Sequence, residues 1–327
     1  MLGFAVVGGH IKTIVIVLLV ALLGGCAADS IVLTPAPVAA DSGVIAFRSA
    51  GSVERGAGRR GFWQTGTPAA LTGELYFPEG EGPFPAIVLA HGCAGGRNVE
   101  PAWGRLLRQW GYATFVVDSF SGRGLAEVCT GGASLHPLQR VSDAYGALRL
   151  LAAHPRIDPQ RIVLMGFSHG GALALLSATA WAKENYAPAG QPSFRAFFPF
   201  YPNCNADFPE RKQVSAPVRI HTGALDDWTP AKPCAELAAS LKASGQDVGI
   251  TIYPGAHHAF DQARRQVFRT DVNNGSDCFP QMLSILGPVV PGSAAGCLKK
   301  GATVAGSPDA AAQARKNLRV QLDELMR

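Results

Sequence analysis

Gly166-Phe167-Ser168-His169-Gly170 fits G-x-S-x-G, in which small residues flank a serine on a turn tight enough to expose its hydroxyl. With 38 glycines and 18 serines among 327 residues, chance supplies about 0.2 such matches per chain, so the surroundings decide. An apolar run, Arg161–Met165, precedes the motif and small helix-forming residues follow from Gly170. That is the strand, turn and helix of a nucleophile elbow. A serine hydroxyl attacks poorly until a histidine takes its proton and a carboxylate orients that histidine. Both partners follow in the required order. Asp226 and Asp227 come after the apolar run Val218–His221, and His257 and His258 come after Gly249–Tyr253. Asp226 lies 58 residues beyond Ser168 and His258 lies 32 beyond Asp226, each room for about one strand–helix unit. Spacing leaves the choice within each adjacent pair open. Upstream, His91-Gly92-Cys93-Ala94-Gly95-Gly96 follows the run Ala86–Ala90. A glycine-rich loop there can aim the Cys93 amide at a developing oxyanion, beside the amide of His169, the residue after the serine.

Positioning these groups requires strands that end on one edge. Leu71–Phe77, Ala86–Ala90, Ala113–Val117, Ile162–Met165, Arg195–Phe200, Val218–His221 and Gly249–Tyr253 read as strands, several continuously apolar as in a sheet covered on both faces. Between them, Pro101–Trp110, Leu138–Ala153, Gly170–Lys183 and Pro230–Ala243 have helical spacing, and Asp309–Met326 supplies a last helix. Thr229 is placed to cap the helix that Pro230 begins. Alternating strands and helices predict an α/β fold with a mainly parallel sheet flanked by helices. Gly287–Ala312 is rich in Gly, Pro and Ala, so a single domain over 44–327 with an insertion at about 279–308 is expected.

Hydrophobic residues make up 47% of the chain, enough for a large core, so disorder is excluded. A net charge of +5 without a run of like charges argues against a nucleic-acid partner. Lys12, the apolar run Thr13–Leu23 and the small residues Gly24 and Gly25 compose an export signal over 1–25. Leu23-Gly24-Gly25-Cys26 resembles the lipobox of bacterial lipoproteins, which implies lipidation at Cys26, a tether over 26–43 and a periplasm-facing, membrane-anchored protein. Ordinary cleavage nearby, giving a soluble periplasmic or secreted protein, is the alternative. Six further cysteines in an oxidising compartment allow fifteen pairings, of which the sequential set is preferred: Cys93–Cys129, Cys204–Cys234 and Cys278–Cys297. No spacing suggests a metal site, since His257, His258 and Asp261 lack further ligands. Gly56-Ala57-Gly58-Arg59-Arg60-Gly61 fits G-x-G-x-x-G, but no strand precedes it.

Five segments together resemble the dienelactone hydrolase family of α/β-hydrolases: HGCAGG at 91–96, DSFSGRG at 118–124, GFSHGG at 166–171, GALDDWTP at 223–230 and YPGAHHAFD at 253–261. The resemblance spans most of residues 70–262 and places the family's triad on Ser168, Asp226 and His258. It implies a small-molecule ester or lactone substrate, an acyl-enzyme intermediate and no cofactor. Three positions depart from the founding enzymes. Ser168 stands where they use cysteine, Gly92 where they carry a glutamate, and Gln262 where one of two carboxylate-binding arginines falls. Arg123 matches the other arginine and is the expected substrate contact. These departures weigh against a true dienelactone substrate. Two other readings stay open: a prolyl-oligopeptidase-type peptidase, for which no propeller repeats occur, and a non-catalytic envelope lipoprotein on the same fold.

Overall fold

The computed structural model describes residues 33–34, 36–50, 68–96, 100–130, 135–187 and 189–327. The expected signal segment, Cys26, the first part of the tether and the stretch 51–61 lie outside the described residues. Within the tether, Thr34 N donates to Ala46 O (3.0 Å) and His154 Nε2 lies 3.2 Å from Asp41 O, so its later residues are bound to the domain.

Eight strands build one sheet. β1 (Gly43–Arg48) and β2 (Ala70–Tyr76) form an antiparallel margin, and β2 runs antiparallel to β4 (Ala113–Asp118). β4, β3 (Phe84–Ala90), β5 (Ile157–Phe167), β6 (Phe197–Phe200), β7 (Val218–Gly223) and β8 (Val248–Tyr253) then follow in space, all parallel. The apolar runs are continuous because both faces are covered. On β3, Ala86, Val88 and Ala90 join the core under α2 (Val141–Ala152), α3 (His169–Ser177) and α5 (Ala231–Ala243). Ile87 and Leu89 join the core under α1 (Glu100–Gln109) and α6 (Pro308–Leu325), the alternation that a period of two dictates.

Two helical expectations need correction. The helix expected over Gly170–Lys183 is two helices, because Thr179 starts α4 (Ala180–Tyr186) by accepting the Ala182 amide at 3.1 Å. Thr229 does not cap α5. Pro230 takes the capping position with an extended ψ of 143°, and the Thr229 hydroxyl turns toward Asp226 and His258.

The segment between β8 and α6 contains structure that its composition conceals. β9 (Val267–Asn274) pairs antiparallel with β10 (Lys299–Val304), and the residues between them are closed by Cys278–Cys297. The other disulfides are Cys93–Cys129 and Cys204–Cys234.

Candidate active site

Ser168 sits between the end of β5 and the start of α3 with φ 54° and ψ −113°, backbone angles that a side chain tolerates only where its surroundings impose them. The surroundings are close backbone. A Cβ at Gly166 would stand 2.0 Å from Gly170 O, and one at Gly170 would stand 2.1 Å from Ala90 O, so both positions need hydrogen as side chain. That crowding holds the elbow and aims Ser168 Oγ above the sheet.

His258, on the loop after β8, places Nε2 2.9 Å from Ser168 Oγ. Its Nδ1 lies 2.8 Å from Asp226 Oδ2, on the loop after β7. Asp226 is fixed in turn, accepting the amides of Trp228 (3.0 Å) and Thr229 (2.8 Å) on Oδ1. Three parallel strands therefore deliver the three groups to one sheet edge, where ligands of open α/β sheets bind. Within both adjacent pairs the structure brings one member, Asp226 and His258, into this line with Ser168. Asp227 turns the other way, and its two oxygens accept from the amide and hydroxyl of Thr303 on β10, both at 2.8 Å. His257 makes no contact with Ser168 among those described. Asp261 accepts from Trp103 Nε1 (2.7 Å) and the Tyr201 hydroxyl (2.8 Å) behind His258. Among the described residues, no three His, Cys, Asp or Glu side chains converge as metal ligands would.

Two side chains with no assigned role in the sequence reading organise the donors around Ser168. His91 is fully buried, and burial followed by the Arg140 charge lowers its pKa to about 3, so it is neutral. Its Nε2 accepts the Ser119 amide (3.2 Å), which leaves the proton on Nδ1 to be donated to Gly92 O (2.8 Å). In a trans peptide the carbonyl and the next N–H point oppositely, so His91 sets the direction of the Cys93 N–H. Arg140, also fully buried, donates from Nη1 to His91 O (3.0 Å) and to Nδ1 of His169 (2.7 Å). One guanidinium thus joins the Cys93 loop to the residue after the serine. His169 donates its remaining proton to Leu135 O (3.0 Å), and burial with the Arg140 charge holds its pKa well below the ordinary value. Neither role has a short-range motif. Arg140 reads in sequence as the polar start of a helix.

Thr229, expected to cap α5, joins this cluster instead. Its hydroxyl lies 3.0 Å from Asp226 Oδ2, from His258 Nδ1 and from Tyr201 O, completing the surroundings of the buried carboxylate. Trp228 covers the histidine, ring centroids 4.9 Å apart, while its Nε1 donates to Asn273 O on β9 at 2.9 Å.

Arg123, the expected substrate contact, is held by protein groups in this structure. Its guanidinium donates to both carboxylate oxygens of Asp143 (2.7 and 2.8 Å) and to Ser119 O (2.7 Å). Asp143 is fully buried, and burial keeps its pKa raised even against the Arg123 hydrogen bonds. A buried ion pair of this kind holds its arginine, since moving Arg123 toward a ligand would strand the carboxylate.

Ser168, His169 and Cys93 border a cavity of about 440 Å³ lined mostly by apolar side chains. This arrangement can attack an electrophilic carbonyl and shuttle one proton.

A family model described as the dienelactone hydrolase family matches residues 71–289. A curated protein of Bradyrhizobium sp, "Probable 2-oxo-3-(5-oxofuran-2-ylidene)propanoate lactonase", is 28% identical over 130 residues, 39% of this chain. The match takes in 52% of that protein, so the chain spans about half the length of the curated relative. A dienelactone hydrolase-like promiscuous phosphotriesterase from metagenomic libraries superposes with a TM-score of 0.55 and 19% identity, covering 87% of this chain and 100% of that one. A structure named m3DLH gives 0.53 and 20% identity, covering 79% and 94%. Both structural likenesses concern the fold.

Proposed function

The chain belongs to the dienelactone hydrolase family, and from that membership we propose that it hydrolyses carboxylic esters or lactones with Ser168 as nucleophile, His258 as general base and acid, and Asp226 as the group that orients His258. Ser168 Oγ attacks the carbonyl carbon as its proton passes to His258 Nε2, and Asp226 stabilises the imidazolium so formed. The oxyanion is held by the amides of Cys93 and His169. Collapse expels the alkoxide, which takes the proton from Nε2 and leaves an acyl-Ser168 ester. Water, deprotonated by the same nitrogen, then releases the acid. The observation that carries the reading is the unbroken line from Ser168 Oγ through His258 to Asp226, at 2.9 and 2.8 Å. The proposal extends to export, which three disulfides suit because they persist in oxidising compartments.

Hydrolysis of p-nitrophenyl acetate by the wild type and by Ser168→Ala tests the reading. The expected result is turnover in the wild type and a loss of about 10³-fold or more in the variant. Turnover that survives in a folded Ser168→Ala protein would assign the chemistry elsewhere.

A further inference from the structure

The cavity beside Ser168 has a direction. Ser168, Ala172, Leu175, Leu176 and Thr179 all line it, and their spacing of four, seven, eight and eleven residues is one face of α3 and its continuation. Ala172 therefore stands about 6 Å along the helix axis from the serine and Leu176 about 12 Å. Phe208, Leu237, Leu241 and Ile285 line the same cavity. Leu175 and Leu176 are only half-buried, although Gly170 through Ala174 and Ser177 are buried, so an apolar stripe faces the cavity.

The charge pattern points the same way. Arg211 is the only charged side chain among the described residues that line the cavity. Its guanidinium already donates to the carbonyls of Cys204 and Ala206 and lies 3.8 Å from Asp207. Arg123 is bound to Asp143. A small anionic substrate finds no uncommitted cation here among the described residues, whereas a neutral chain finds continuous apolar contact.

Resting on the serine-esterase reading above, we propose that this trench is an acyl-chain site measured out along α3, and that the substrates are neutral esters of linear, medium- to long-chain carboxylic acids. The acyl half is assigned to it because Ser168, to which that half becomes bonded, borders the trench. His258, which must reach the leaving oxygen, does not line it. Each methylene buried in such a trench raises kcat/KM by about three- to fourfold until the space is filled.

The test is a series of p-nitrophenyl esters from acetate to dodecanoate, run on the full chain, on Ala172→Phe and on Leu176→Trp. For the wild type, kcat/KM is expected to climb several-fold per methylene through dodecanoate. An extended chain advances about 1.2 Å per bond, so the two variants should cut the profile at different lengths. Ala172→Phe stops the climb at about four or five carbons and Leu176→Trp at about nine or ten. The readout is the ratio of long to short ester within each protein, with near-ultraviolet circular dichroism establishing the fold; Ala172→Leu replaces Ala172→Phe if the larger ring prevents folding. A profile flat or falling from acetate overturns the proposal, and so does an identical cut-off in both variants. A parallel series of acetate esters of longer alcohols is expected to stay flat, and a climb there instead would overturn the assignment to the acyl half. Esterase failure is distinguishable, because it removes acetate turnover itself from the wild type.

Discussion

Asp226 accepts two backbone amides and faces His258, whereas the carboxylate of its neighbour Asp227 accepts twice from Thr303. The two side chains leave one turn in opposite directions, which spacing in a sequence does not encode. Asp226→Asn is expected to lower kcat by about 10³- to 10⁴-fold with little change in KM, because an amide presents the wrong partner to the Nδ1 proton. Asp227→Asn should keep kcat within about threefold and lower stability by about 0.5–1.5 kcal/mol, the range for a weakened hydrogen bond. Steady-state kinetics with urea unfolding on both variants separates the roles. Equal losses of kcat would mean that the aspartates share the task. Arg123 teaches the complementary point. Its position in the chain matched a substrate-binding arginine, and the structure pairs it with the buried Asp143 at 2.7 Å, twenty residues away and silent in sequence.

The parallel core of the sheet was legible because its strands are continuously apolar and its elbow has a steric signature at Gly166 and Gly170. β9 and β10 were not, since VFRTDVNN and KKGATV are polar and make only a two-stranded sheet. Their order comes from tertiary contacts around Asn274. This buried side chain donates from Nδ2 to Asp227 O (3.0 Å) and Gly301 O (2.7 Å), and its Oδ1 accepts the Ser276 amide (2.9 Å). It ties the loop that carries Asp226 to both strands of the hairpin. Trp228 adds a second tie through Asn273, and the Asn273 amide bonds Cys129 O, whose residue is bridged to Cys93. The hairpin thus buttresses the loop that carries Asp226 and the Cys93 loop together. Asn274→Ala leaves buried backbone groups without partners, at a cost of about 1–3 kcal/mol. The variant is expected to melt several degrees lower and to lose kcat by about three- to tenfold as both loops loosen. Thermal unfolding and kinetics read the two effects, and a lower melting temperature with unchanged kcat would show that the hairpin serves only the fold.

Across the whole molecule, stability and acidity are linked through histidines that folding keeps neutral. The three disulfides close loops spanning 19 to 36 residues, and in the loop-entropy account each stabilises by about 3–4 kcal/mol without any dependence on protonation. His221 behaves differently. It is fully buried where β7 meets β8 and α6, stacked on Phe200 with ring centroids 4.5 Å apart. Burial pushes the Tyr253 hydroxyl up to about 12, so that group remains a donor to His221 Nδ1 at 2.7 Å. Nε2–H donates to Gln321 Oε1 at 3.0 Å, and the neutral ring is fully satisfied. Burial lowers the His221 pKa to about 4, against about 6.5 in the unfolded chain. Above pH 6.5 both states are neutral and the group contributes nothing to pH dependence. Below it the unfolded chain binds a proton that the native state refuses, so stability falls as pH drops from about 6.5 toward about 4. His221 alone should account for about 2 kcal/mol of that fall by pH 5, and His91 for a similar amount. His221→Gln is expected to be less stable than the wild type at pH 7 yet to lose about 2 kcal/mol less on moving to pH 5. Urea unfolding of the oxidised proteins at the two pH values measures this difference directly. Parallel losses in both proteins would mean that His221 titrates alike in the folded and unfolded chain, which its burial against Phe200 and Tyr253 argues against.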